Sequence, residues 1–96
     1  MKRIVTKEVE KIEGAGLESM LGENVMVMCL NYHYYGKLTG VNDTCIELEG
    51  ASIVYETGEW DASTWKDAQK LPSFQWYIQT SVIESFGQVD RGQVDR

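Results

Sequence analysis

The chain has 96 residues, with 9 Lys and Arg against 15 Asp and Glu, a formal net charge of −6, one His, two Cys and one Pro. That length suits one domain and not two, and 43% apolar residues suffice for a core rather than a disordered chain. No apolar run approaches the roughly 20 residues that span a bilayer, and the Met1–Thr6 start lacks the apolar core of a signal peptide, so a cytoplasmic protein without membrane contact is expected. Two cysteines without a CxxC or a Cys/His spacing argue against a disulfide framework and against zinc. The acidity disfavours a surface that grips nucleic acid everywhere.

Residues 3–12 fit neither period cleanly: Val5, Val9 and Ile12 suit a helix face, and the segment stays unassigned within an extension over 1–16. Leu17, Met20 and Leu21 share one side of a short helical turn that Gly22 ends. Val25 to Leu30 is almost wholly apolar, which predicts a strand buried on both faces. Asn31-Tyr32-His33 connects it to a second strand, Tyr34 to Val41, where Gly36 and Gly40 mark bulges or bends. Asn42-Asp43-Thr44 supplies a tight turn, and Cys45 to Tyr55 continues extended with Ile46 and Leu48 opposite Glu47 and Glu49. A long connection spans 57–73, within which Asp61 to Lys70 reads as a short capped helix ending near Pro72. Phe74 to Gln79 and Val82 to Phe86 are the last of five strands, separated by Thr80-Ser81. Residues 87–96 hold a perfect repeat, GQVDR at 87–91 and again at 92–96. Two such copies cannot form a solenoid, and each has a single Val; a flexible solvated tail is expected, with a docking peptide as the alternative.

In this order Leu17 to Gly22, Val25-x-Val27, Tyr35-Gly36-x-Leu38-Thr-Gly-Val41-Asn-Asp and Leu48 resemble the Sm/Lsm family over about residues 17–86. The resemblance implies a mainly β fold: a short N-terminal helix followed by a strongly bent five-stranded antiparallel barrel. Aligned on Gly36 and Leu38, the family's Asp falls on Asn42, its base-stacking aromatic on Thr44 and its base-reading Asn on Ile46. In the second motif the Arg position is Gln79 and the Gly position Thr80. Thr44 cannot stack on a base, Ile46 cannot donate a hydrogen bond and Gln79 brings no charge, so the base pocket is degenerate. Any RNA or ligand face implied by the family involves Asn42, Asp43, Thr44, Gln79, Thr80 and Ser81.

From Asn24 to Phe86 three bases face eight acids, and Glu47 to Asp61 holds five acids with no base, which makes RNA association weak at best. Family rings pair one subunit's fourth strand with its neighbour's fifth. The resemblance therefore implies a homo-oligomeric ring of roughly five to seven subunits, with Phe74, Trp76, Ile78, Val82, Ile83 and Phe86 at the interface. The alternative is a ring-forming structural or protein-interaction module that has lost RNA binding. Tyr32, Tyr34 and Tyr35 around His33 read as hairpin and subunit-contact packing rather than a stacking platform, and Trp60 and Trp65 as pins for the long loop. Cys29 and Cys45 read as buried thiols. His33 has neither a second His nor an ordered carboxylate partner in the sequence, and no catalytic motif appears; no enzyme, cofactor or metal is expected.

Overall fold

The computed structural model describes residues 16–91. Residues 3–12 and the second GQVDR copy therefore lie outside the described residues. A 3-10 turn, Gly16–Met20, is followed by six strands: β1 Asn24–Cys29, β2 His33–Val41, β3 Cys45–Glu56, β4 Asp67–Lys70, β5 Gln75–Gln79 and β6 Ile83–Gln88, with a second 3-10 turn, Thr80–Val82, before β6. They form one antiparallel sheet in the order β4-β3-β2-β1-β6, with β5 also on β3.

The twelve residues of β3 serve two partners. Its first half, Cys45 to Glu49, pairs with β5, and its second half, from Ser52, pairs with β4. The change falls at Gly50-Ala51, where Gly50 has φ +60°, a backbone that glycine adopts without penalty. Across the sheet, Tyr35 pairs with Ser52 and Lys37 with Glu49, so β3 carries an extra residue opposite Gly36. A second register shift lies between Leu38 and Gly40. The bends expected at both glycines are therefore present. β4 and β5 follow each other along β3 as one strand interrupted at 71–74, where Leu71 N–H donates to Ala51 O at 3.0 Å and Gly50 N–H to Phe74 O at 2.8 Å.

β1 is buried on both faces, as its unbroken apolar run predicts. Val25, Val27 and Cys29 join Leu38, Ile46, Leu48, Ala51 and Ile78 in one cluster, with Leu17, Met20, Trp76, Val82 and Ile83 packed against it. Met26 points the other way, into a second cluster with Tyr35, Val54, Trp65 and Ala68. Burying a side chain such as Leu38, Ile46 or Leu48 completely contributes about 1.5–3 kcal/mol each.

Four expectations need correction. The sheet is open, not a closed barrel, and it has six strands rather than five: β5 and β6 do not pair with each other but with β3 and β1, so each has an outer edge unpaired among the described residues. The helix expected over 17–22 is a five-residue 3-10 turn, whose Met20 carbonyl accepts from Glu23 N–H at 2.9 Å. The helix expected over 61–70 is absent; its last four residues are β4, inside the supposed 57–73 loop. Ala, Gln and Lys are good helix formers, but tertiary context overrides that local preference: the strand satisfies the far half of β3 and buries Ala68. Finally, residues 87–91 are not a solvated tail: Gly87 and Gln88 continue β6, and Arg91 is buried.

A Cβ placed on Gly36 would meet Ala51 Cα and Cβ at 3.0 Å and Glu49 O at 3.2 Å. The Gly36→Ala variant should therefore lose about 1–3 kcal/mol in urea unfolding, because rigid backbone must move. Gly87→Ala, where a Cβ meets nothing within 4 Å, should leave the midpoint close to wild type.

Candidate functional site: two paired turns at one end of the sheet

The hairpin turn between β2 and β3 is shaped by Asn42. Its Oδ1 accepts from Thr44 N–H at 2.8 Å, Thr44 Oγ1–H at 3.1 Å and Cys45 N–H at 2.9 Å, and Asn42 N–H donates to Cys45 O at 3.0 Å. This is the local competition that makes Asn a turn residue. The 3-10 turn Thr80–Val82 docks directly onto it: Thr80 N–H donates to Thr44 O at 2.9 Å and Thr80 Oγ1–H to Asp43 O at 3.1 Å. Cys45 pairs with Gln79 where β3 and β5 run side by side. Asp43, Thr44, Cys45, Tyr77, Gln79, Thr80 and Ser81 thereby line one open depression.

All six residues singled out for a ligand face thus lie together. Asn42 Oδ1 is taken up as the turn's acceptor, and Asn42, Asp43, Thr44, Gln79 and Ser81 are all exposed. Ile46, at the position where the family has its base-reading Asn, is fully buried opposite Ile78 and meets no ligand. Among the described residues the depression is lined by one carboxylate, Asp43, and by no Lys or Arg. Of the bases in residues 16–91, Arg91 is buried, while Lys37, Lys66 and Lys70 are exposed outside the depression, Lys66 lying 3.7 Å from Glu56.

Beside these turns, Glu47 on β3 faces Tyr77 on β5. Thr39 Oγ1–H donates to Glu47 Oε1 at 2.7 Å and Tyr77 O–H to Oε2 at 2.8 Å. Those bonds, the Thr39 one first, hold the Glu47 carboxyl below the usual carboxylate range, and the bond to Glu47 pushes the Tyr77 phenol up. A second cleft, of about 260 Å³, opens between the β1–β2 hairpin and β5 and is lined by Cys29, Leu30, Tyr32, Tyr34, Trp76 and Val82 among others. Burial raises the Cys29 thiol, and burial followed by the nearby Cys29 raises the Tyr34 phenol, so both stay neutral at physiological pH. Cys45 is only half-buried, so just one of the two thiols is sequestered as expected. No group of three or more His, Cys, Asp or Glu able to hold a metal occurs among the described residues, and no helix among them is long and apolar enough to cross a membrane.

The residues assigned to assembly divide. Phe74 is 69% exposed and Phe86 40%, but Ile78 is in the core, and Trp76, Val82 and Ile83 are half-buried against the first cluster. Ile78 therefore cannot form the outer surface expected of it, because the strand's alternation turns it inward. Sequence reasoning missed Tyr77, 59% exposed on the β5 edge, though its alternation with Trp76 and Ile78 was a readable signal. Compared with protein-family models and with curated protein sequences, the chain finds no match.

Asn42→Ala should cost about 1 kcal/mol in unfolding experiments, and Asn42→Asp, which keeps the acceptor, should restore most of it. Acid titration provides a separate check. A depressed Glu47 contributes stability that is full above the ordinary carboxylate range and lost as pH falls through its lowered value. Glu47→Gln should then flatten the stability profile slightly between about pH 5 and pH 3, solvent keeping the effect small.

Proposed function

We propose that the chain is an Sm-like ring-forming protein that associates weakly with RNA through a degenerate base pocket on its paired turns. The observation that carries this reading is the pair of strand edges that no other described residue pairs with. β6 and the β4/β5 side bound a single bent sheet, and exposed aromatics accompany them: Phe86 on β6, and Phe74 and Tyr77 on β5 and its entrance. A free edge at each end of one open sheet suits head-to-tail pairing between copies, which closes into a ring when the rotation allows. The strand order, with β1 between β2 and β6 and an interrupted strand along β3, agrees with the Sm-like reading, as do the bends at Gly36 and Gly40.

A second reading, a ring-forming protein-interaction module that has lost RNA binding, is favoured by the charge of the turn face. Phosphate binding draws its strength from Lys and Arg, and among the described residues Asp43 occupies that face without a cation lining it. Hydroxyls and amides from Thr44, Gln79 and Ser81 suit hydrogen bonding to a polypeptide instead.

Light scattering at micromolar concentration should give a mass near five to seven times the 10.9 kDa chain, roughly as closed cyclic assemblies require. A monomer would end the ring reading. Phe86→Glu, which places a charge on the β6 edge, should lower the assembly to smaller species. Anisotropy titrations with U-rich and A-rich RNA at about 50 and 200 mM salt separate the two readings: salt-sensitive binding supports RNA association, and its absence supports the interaction module.

A further inference from the structure

The loop after β3 and the chain after β6 meet in a cage around one guanidinium. Arg91 is 6% exposed. Its Nη1 donates to Thr57 O at 2.7 Å, and its Nη2 donates to Glu59 O at 2.9 Å and Trp60 O at 2.7 Å. Trp60 and Trp65 stand at 86° to each other, and the guanidinium carbon lies 4.2 Å from the Trp65 ring centre and 5.6 Å from that of Trp60. Three carbonyls take up the fork of donors while two indole faces attract the delocalised charge, the combination that selects Arg over Lys.

The same site also reads the backbone that carries the arginine. The Tyr35 hydroxyl, from the centre of β2, lies 2.8 Å from both Val89 O and Arg91 O and accepts from Arg91 N–H at 3.1 Å. Val89 packs against the second core cluster, and its N–H donates to Asn24 O at 3.2 Å. Recognition thus depends on a Val and, two residues later, an Arg. Asp90 between them is exposed, and a Cβ on Gly87 would meet nothing within 4 Å. Residues 92–96 repeat the segment residue for residue, with Val94 and Arg96 at the same spacing.

We infer that the Trp60–Trp65–Tyr35 cage is a receptor for a Val-x-Arg peptide, and that the second GQVDR copy of the same chain is its alternative occupant. Seating 92–96 displaces 87–91 as a five-residue loop after Phe86. Loop-closure cost rises slowly with length, and a short tether holds the second copy at an effective concentration in the millimolar range. The first copy needs no loop and so holds the cage whenever Arg91 is intact. The second takes over when the first is lost or drawn away.

Four full chains test this: wild type, Arg91→Ala, Arg96→Ala and Arg91→Ala/Arg96→Ala. Arg96→Ala should match wild type in its unfolding equilibrium. Arg91→Ala should be destabilised, and removing Arg96 from that background should lower the folded-to-unfolded ratio by roughly a further fivefold or more, the size of a single cation–π contact. An Arg96→Ala change that is silent in both backgrounds overturns the inference. Because the double variant could unfold, Arg91→Ala alone supplies a second readout by NMR with labelled arginine side chains. The Arg96 Nε–H should become protected from exchange there and exposed in wild type; exposure in both overturns the proposal. Protection that grows with protein concentration would assign the occupant to another copy and overturn the same-chain exchange. N-acetyl-GQVDR should quench or shift the tryptophan fluorescence of the folded double variant and leave wild type unchanged, and no response in either would count against a Val-x-Arg receptor.

Discussion

The close approach of Gly36 to Ala51 is the constraint from which the rest of the sheet follows. A side chain at 36 would be driven into the backbone of β3, so only glycine lets the two strands converge there. The convergence coincides with the extra residue in β3 and with the positive φ of Gly50. Beyond that point β3 turns away from its first partner and takes a second, which is why one strand can organise β5 along its first half and β4 along its second. The two clusters of buried side chains are a result of the same bend. A β1 buried on both faces requires packing partners on either side, and β3 supplies Ile46 and Leu48 to one cluster and Val54 to the other.

From that geometry come both the edges and the face. The turn of Asn42 to Thr44 and the 3-10 turn after β5 meet because Cys45 pairs with Gln79 at the end of β3, and Thr80 then spends its own N–H and hydroxyl on the first turn's carbonyls. The cluster is consequently a packed joint whose exposed remainder is small and acidic. A ring would repeat the chain's net negative charge around a common axis, multiplying the field that repels phosphate. Under the proposed reading fold and charge would pull in different directions: strand edges unpaired among the described residues would suit assembly, while an acidic face would suit a partner without phosphates.

Most of the sheet was legible in the chain because period-two alternation and an unbroken apolar run are local signals. Val25 to Cys29, the bends at Gly36 and Gly40, the Asn42 turn and the inward Ile46 and Leu48 all follow from neighbours in sequence. That the six residues of the candidate face lie together was legible to the same degree, since they occupy two short turns, whereas Asn42's role as the turn's acceptor depends on hydrogen bonds that composition does not display. β4 was not legible. Asp67 to Lys70 has no alternation to reveal it, and it is a strand because an unpaired half of β3 offers hydrogen bonds across the sheet. Barrel closure failed for a related reason: which edges meet is a question of long-range geometry on which a short motif is silent.

The first GQVDR copy was misread for a deeper physical reason. A segment with one acid, one base and a single Val has no apolar face, and by burial arithmetic it belongs in water. Its anchorage instead uses interactions that arithmetic omits. The guanidinium exchanges water for three carbonyls and two indole faces, while its flat, weakly hydrated charge lowers the desolvation cost relative to an ammonium. The aromatic residues that hold it were themselves conspicuous, and Trp65 does fix the long loop to the core, as a tryptophan there is expected to do. What ties loop and strand end together is the cation between them: Arg91 bonds the backbone at Thr57, Glu59 and Trp60, and Tyr35 holds Arg91's own backbone from the middle of the sheet. The cage thus makes β6, an edge strand with few buried side chains, continuous with the second core cluster, so the stability of that edge rests on a polar clasp beyond the strand itself.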